Sequence, residues 1–280
     1  MLVAAGHAAD IRLAGTDLLG PALVQALGKF GQENDTGIAL ALEGTRPALE
    51  RLRAGDADVA LFVLPPDEAP PGDPFVTRVV ACQPVVLVVP EKLPLSQLTA
   101  AQVRGIFAAT GAESLSLWGQ LGLTGEWGAR AIAVQAVEPA AALTLPLFRR
   151  LALPGAELKP HVRLAPLAQV LEWARTSDNG IGLVPVLPAP GSGLRALALA
   201  PSAREPAHRP TRENLHDGSY PLRLPLYVGF RREAAPRLLP LLRFLLGDEG
   251  ADALDAAHFP ALPAEARSRL ALELEALARP

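Results

Sequence analysis

The stretch from Ile38 to Pro66, IALALEGTRPALERLRAGDADVALFVLPP, constrains the fold more than any other. Two apolar runs, Ile38–Leu42 and Val59–Leu64, flank a polar cluster and a short amphipathic segment. Apolar runs of this length, bounded by turn residues, read as buried strands. Between them Pro47 suits a first helical turn, Ala48, Leu49 and Leu52 form one stripe, and Gly55 suits the residue just past the end. Strand, turn, helix and strand in that order make parallel members of one sheet. Open α/β sheets collect ligands between a strand's carboxyl end and the next helix's amino end. Glu43-Gly44-Thr45-Arg46 falls there. Gly44-Thr45-Arg46 is therefore either a binding turn or simply a turn. Arg46 and Glu50 stand at i,i+4 spacing, which predicts a weak helical ion pair.

The same pattern precedes and follows this stretch. Asp10–Ala14 reads as a first strand, Gly15-Thr16-Asp17 as its turn, and Leu19, Leu23, Ala26, Leu27 and Phe30 recur at helical spacing. Thr16 or Asp17 is the expected N-cap. Further strands are predicted over Phe75–Ala81, Val85–Val89, Ala131–Ala136 and Leu222–Phe230, with a short one before Pro185. Helices are predicted over Ser96–Phe107, Ala140–Leu153, Leu167–Ala174, Pro236–Leu246 and Ala264–Leu277, and an irregular region over Leu187–Pro210. The alternation gives an α/β class. A length of 280 residues suits two lobes, and no compositional break marks a linker between them.

Half of the residues are hydrophobic and 20% are charged, so a packed core is expected. The net charge of −3, without a long basic run, argues against a nucleic-acid surface. The one cysteine, Cys82, lies among apolar residues and reads as a buried structural thiol. No run is long and apolar enough to span a membrane. The first residues, MLVAAGHAAD, end like a signal peptide but lack its basic and apolar parts, so they read either as a truncated leader or as a plain terminus.

Signatures of catalysis are missing. The five histidines show no zinc spacing, no serine sits in GxSxG, and neither a Walker loop nor a strand-linked GxGxxG occurs. No cofactor, metal or catalytic residue is expected, and the chain reads as a non-enzyme.

Four segments, in order, resemble the periplasmic phosphate-binding protein (PstS-like) family. They are Leu98-Thr-Ala-Ala-Gln-Val-Arg-Gly-Ile-Phe107 with Trp118-Gly-Gln-Leu-Gly122; Gly180-Ile-Gly-Leu-Val-Pro185; Thr211-Arg-Glu-Asn-Leu-His-Asp-Gly-Ser-Tyr-Pro-Leu222 with Leu224-Pro-Leu-Tyr227; and Phe244-Leu-Leu-Gly-Asp-Glu-Gly250 with His258-Phe-Pro-Ala-Leu-Pro263. The resemblance implies a type II substrate-binding fold: two α/β lobes, two crossing strands as hinge, and a ligand cleft that closes by hinge motion. It implies lobe boundaries at 10–84 plus 227–280 for the first lobe and 85–226 for the second. It also implies a periplasmic or otherwise extracytoplasmic monomer that hands a small anion, phosphate or another, to an ABC permease.

Carried over residue by residue, the resemblance makes Thr16, Asp17, Gly44, Thr45, Arg46, Gln135 and Glu138 the candidate ligand residues. It also exposes departures. The family's Gly-Ser-Gly second turn is here Gly44-Thr45-Arg46-Pro47, which keeps a hydroxyl and adds a cation, and its acid after the next strand is replaced by apolar Val59–Leu64. Gln135 stands near its arginine, and its Ser-Gly-Thr helix cap is expected to be lost at Pro139–Ala142. Each lost charge-assisted hydrogen bond removes roughly 1.5–3 kcal/mol. Tight phosphate capture by the family's own residue set is therefore not expected. The alternative is a degenerate, non-transport interaction module of the same fold.

Overall fold

A computed structural model describes residues 11–111, 113–138 and 143–279. The chain divides into two compact units, one of residues 1–83 with 224–280 and one of residues 84–223.

The first unit is built on a five-stranded sheet of β1 (Ile11–Gly15), β2 (Ile38–Leu42), β3 (Val59–Val63), β4 (Phe75–Pro84) and β12 (Arg223–Arg231), in the order β2-β1-β3-β12-β4. β1 lies parallel to both β2 and β3, so the two strands of the 38–66 stretch share a sheet with β1 between them. β12 runs antiparallel to β3. Helix α1 (Gly20–Glu33) follows β1, and α2 (Thr45–Ala54) links β2 to β3. The apolar stripe of α2, Ala48, Leu49 and Leu52, packs on Ala14, Ala60 and Phe62. Phe62 stacks on Tyr227, ring centroids 5.5 Å apart. Helices α7 (Ala235–Leu246), α8 (Asp248–Ala256) and α9 (Ala264–Leu277) complete the unit, with Phe244 of α7 against Phe30 of α1. Cys82 is buried and forms no disulfide.

The second unit is built on β5 (Val86–Pro90), β7 (Ala133–Val137), β8 (Arg163–Ala165), β9 (Gly180–Val184) and β10 (Leu194–Ala196), in the order β10-β5-β9-β7-β8. A separate pair joins β6 (Gln97–Thr99) to β11 (Ala198–Ala200) in parallel. Its helices are α3 (Ala100–Phe107), α4 (Thr144–Ala152), α5 (Leu167–Thr176) and α6 (Arg212–Asp217). Val170 and Ala174 of α5 pack on Val86, Val88 and Val184. Tyr220 is fully buried and its hydroxyl donates to the Val85 carbonyl at 2.8 Å, which anchors the Gly-Ser-Tyr-Pro segment. Burial raises that phenol above its ordinary pKa.

Several expected elements shift. The helix expected from Ser96 begins at Ala100, because Gln97–Thr99 pairs with β11 first. Thr99 then caps α3 in a reciprocal box with Gln102. The region expected to be irregular, Leu187–Pro210, contains β10 and β11. β4 continues to Pro84 rather than stopping at Ala81. The expected Asp10 strand start and the expected helix start over Ala140–Ala142 lie outside the described residues. α6, α8 and β8 have no counterpart in the sequence expectations.

Candidate functional site

In the first unit two strand-to-helix turns are tied together. The Gly44 amide donates to the Gly15 carbonyl at 3.1 Å, and the Thr16 amide donates to the Leu61 carbonyl at 2.8 Å. Each turn depends on a glycine. A Cβ on Gly15 would come within 2.8 Å of Leu42 and 3.2 Å of the Leu61 carbonyl. Gly44 has φ 115° and ψ 167°, a conformation essentially reserved for glycine.

Of the predicted residues, Thr16, Asp17, Gly44, Thr45 and Arg46 occupy these two turns. Thr16 is 2% exposed and is the N-cap of a single 3-10 turn, Asp17–Leu19, that leads into α1. Its hydroxyl donates to the Asp17 carboxylate and accepts from the Leu18 amide, both at 3.4 Å. Asp17 itself is exposed. Gly44 is the N-cap of α2 and brings no side chain to it. The first amides of that helix consequently have neither an intrahelical carbonyl nor a capping oxygen. Arg46 is exposed and has no ion pair among the described residues. The expected Arg46–Glu50 pair does not form; the ion pair in this region joins Glu43 and Arg51 at 2.9 Å.

Thr45 departs from its expected role. Its hydroxyl donates to the Val63 carbonyl at 3.3 Å and accepts from the Val63 amide at 3.2 Å. A hydroxyl has one proton, and here that proton is committed to the backbone.

In the second unit Gln135 lies in mid-strand, in register with Arg163 of β8 and Gly182 of β9. It lines a cavity of about 570 Å³ with Ser116, His161, Arg163 and Trp173. Glu138 follows β7 and its amide donates to the Ala165 carbonyl at 3.1 Å. Glu138 is not among the described residues that line that cavity.

One residue escaped the sequence reading. Thr144 is the first residue of α4, a helix without a side-chain cap. It is 1% exposed, and its hydroxyl has no hydrogen-bond partner among the described residues. A hydroxyl thus stands two residues beyond the expected place, but it does not cap the helix. The signal was a threonine directly before the Leu145, Leu147 and Phe148 stripe.

Among the described residues no group of His, Cys, Asp or Glu is placed to hold a metal ion. No described helix is long and apolar enough to cross a membrane.

Two parallel-containing α/β sheets, each in its own unit, with glycine-built turns at strand carboxyl ends, are the architecture of periplasmic-type binding proteins. The chain belongs to the PBP superfamily, whose domain model matches residues 3–142. It is 28% identical over 204 residues to the phosphate-binding protein PstS of Pseudomonas aeruginosa, which covers 70% of this chain. The match spans only 62% of that relative's length. A possible phosphate-binding protein from Planctomyces limnophilus superimposes with a TM-score of 0.69 at 16% identity, over 96% of this chain and 98% of that one. An ABC-type phosphate transport receptor from Vibrio cholerae gives 0.63 at 18% identity, over 89% and 98%. At these identities the two structures show the fold.

Proposed function

We propose that this chain is the extracytoplasmic solute-binding component of an ABC importer, of the phosphate-binding type, and that it takes a small oxyanion. The paired turn of the first unit carries the reading. The uncapped start of α2, the tie from Gly44 to Gly15 and Arg46 leave amides and a cation with no partner among the described residues. Backbone amides at a helix start, with a guanidinium beside them, are an oxyanion's natural complement. Asp17 supplies an acceptor for a protonated oxygen, the task for which β3 has no acid. Gln135 and Glu138 are separate candidates in the second unit. The similarity to PstS supports phosphate as the first ligand to test and a permease as the partner. The chain acts by binding rather than by catalysis, as a periplasmic monomer.

Calorimetry with phosphate, sulfate and small organic anions tests the reading. Saturable heat is expected for at least one oxyanion, with affinity lowered about tenfold or more by Arg46→Ala. No heat and no thermal shift across the whole panel would sink it.

The commitment of the Thr45 hydroxyl to Val63, beside the apolar Phe62–Leu64, favours a second reading: a module whose anion site has decayed and which serves a partner protein. A silent anion panel together with a stoichiometric protein partner would select it.

A further inference from the structure

The second unit holds a recess of different chemistry. Helix α3, the end of α4, β11 and residues 221–222 enclose about 330 Å³. Val103, Leu199 and Leu222 are buried walls, and Leu151 and Pro154 close one side. Arg104 is the one charged residue among the described residues of the lining, and it has no hydrogen bond or ion pair from its side chain to a described residue.

These two properties select an occupant. An inorganic oxyanion would exchange its hydration for carbon walls, at a large desolvation cost. A plain hydrocarbon would leave the guanidinium without a counter-charge. A molecule with an apolar tail and one carboxylate satisfies both, through burial of the tail and a bidentate pair with the arginine. The volume lies at the small end of the usual range for ligand pockets, about 300–1,000 Å³, so the tail is short.

We propose that this recess binds a small aliphatic carboxylate, with its tail among Val103, Leu151, Leu199 and Leu222 and its carboxylate on Arg104. The recess is lined by residues of the second unit, whereas the proposed oxyanion turn belongs to the first.

Calorimetry on the purified full chain with octanoate, hexanoate, octanol and acetate provides the test. Octanoate should bind at one site, hexanoate roughly fifteenfold more weakly and acetate not measurably, since each methylene contributes about fourfold. Arg104→Leu should weaken octanoate about tenfold or more and leave octanol unchanged. Ala152→Leu, at a half-buried lining position, should weaken octanoate and octanol together while the unfolding midpoint is retained. The proposal is overturned if the unsubstituted chain does not bind octanoate, if octanol binds as well as octanoate, or if neither substitution changes octanoate affinity.

Discussion

Thr45 and Val63 are held together by two hydrogen bonds through one hydroxyl: Thr45 Oγ1 donates to the Val63 carbonyl at 3.3 Å and accepts from its amide at 3.2 Å. This fastens the first turn of α2 to the end of β3, eighteen residues later in the chain. The hydroxyl satisfies backbone that would otherwise end its sheet pairing unbonded. Its role is to hold the turn in shape, and the turn in turn aims the α2 amides.

Thr45→Val should therefore act on stability first. It keeps the volume but orphans two partly buried backbone groups, at a cost of about 1–3 kcal/mol. Urea unfolding should show that loss, and Thr45→Ser should recover most of it. A Thr45→Val variant as stable as the parent would mean that water serves Val63 equally well.

Gly44→Ala tests the same turn through its backbone. At φ 115° and ψ 167° any side chain is strained, although open space surrounds the position, with Pro47 Cδ the nearest atom at 3.7 Å. The expected loss is about 1–3 kcal/mol from conformation alone. Because the Gly44 amide ties the two turns, oxyanion affinity should fall with it. Unfolding curves and anion titrations on one preparation measure both. An unchanged unfolding midpoint would contradict the backbone argument.

These turns show what a sequence can and cannot reveal here. The apolar runs at Ile38–Leu42 and Val59–Val63 declare strands through their own residues, although only Val59–Val63 is fully buried and Ile38–Leu42, expected to be buried, is a half-exposed edge strand. Gly44 declares a turn for the same local reason. The Thr45–Val63 bond does not show, because nothing near Thr45 says that a strand end eighteen residues on needs a hydroxyl. β6 was hidden likewise: Gln97–Thr99 reads as the start of a helix until Ala198–Ala200, about a hundred residues later, pairs with it. Thr144 does not show either: the stripe after it marks a helix, but nothing in its neighbours marks a threonine buried at the first turn of that helix with its hydroxyl unbonded to any described residue.

Asp58 sets the acid limit of the first unit. Its carboxylate is 13% exposed and accepts from the Arg12 amide at 2.8 Å and from the Arg12 guanidinium, with Arg237 at 2.7 Å on the same group. Burial disfavours the charged form, but the side-chain and backbone hydrogen bonds from Arg12, with those from Arg237, outweigh it and lower the pKa from 3.8 to about 2. A depressed carboxylate pKa contributes stability that is present above the unfolded value and is lost as pH falls through the folded one. The loss should amount to about 1–2 kcal/mol between pH 3.8 and pH 2, reduced by the exposure of both arginines. Denaturant unfolding in that window should show the slope for the parent and a flatter one for Asp58→Asn. Equal slopes would remove Asp58 from the acid transition.

Lys159 works in the opposite direction. It is 8% exposed, and its ammonium donates to the Gly105 carbonyl at 2.6 Å and the Leu115 carbonyl at 3.2 Å. These bonds pin the segment after α3 to that helix's last turn. No carboxylate pairs with it among the described residues, and burial lowers its pKa below 10.5. Between the lowered value and 10.5 the unfolded chain binds a proton that the folded chain has released, so stability rises with pH across that window. The neutral amine still donates two hydrogens, so both carbonyls stay satisfied as the charge leaves. Unfolding measured at successive alkaline pH values should show stability increasing towards pH 10.5 in the parent and this component missing in Lys159→Met. The methionine variant should also be less stable at neutral pH, by about 1–3 kcal/mol, because it orphans two carbonyls. If Lys159→Met keeps the parent's alkaline slope, the titrating group is elsewhere and Lys159 is a hydrogen-bonding strut alone.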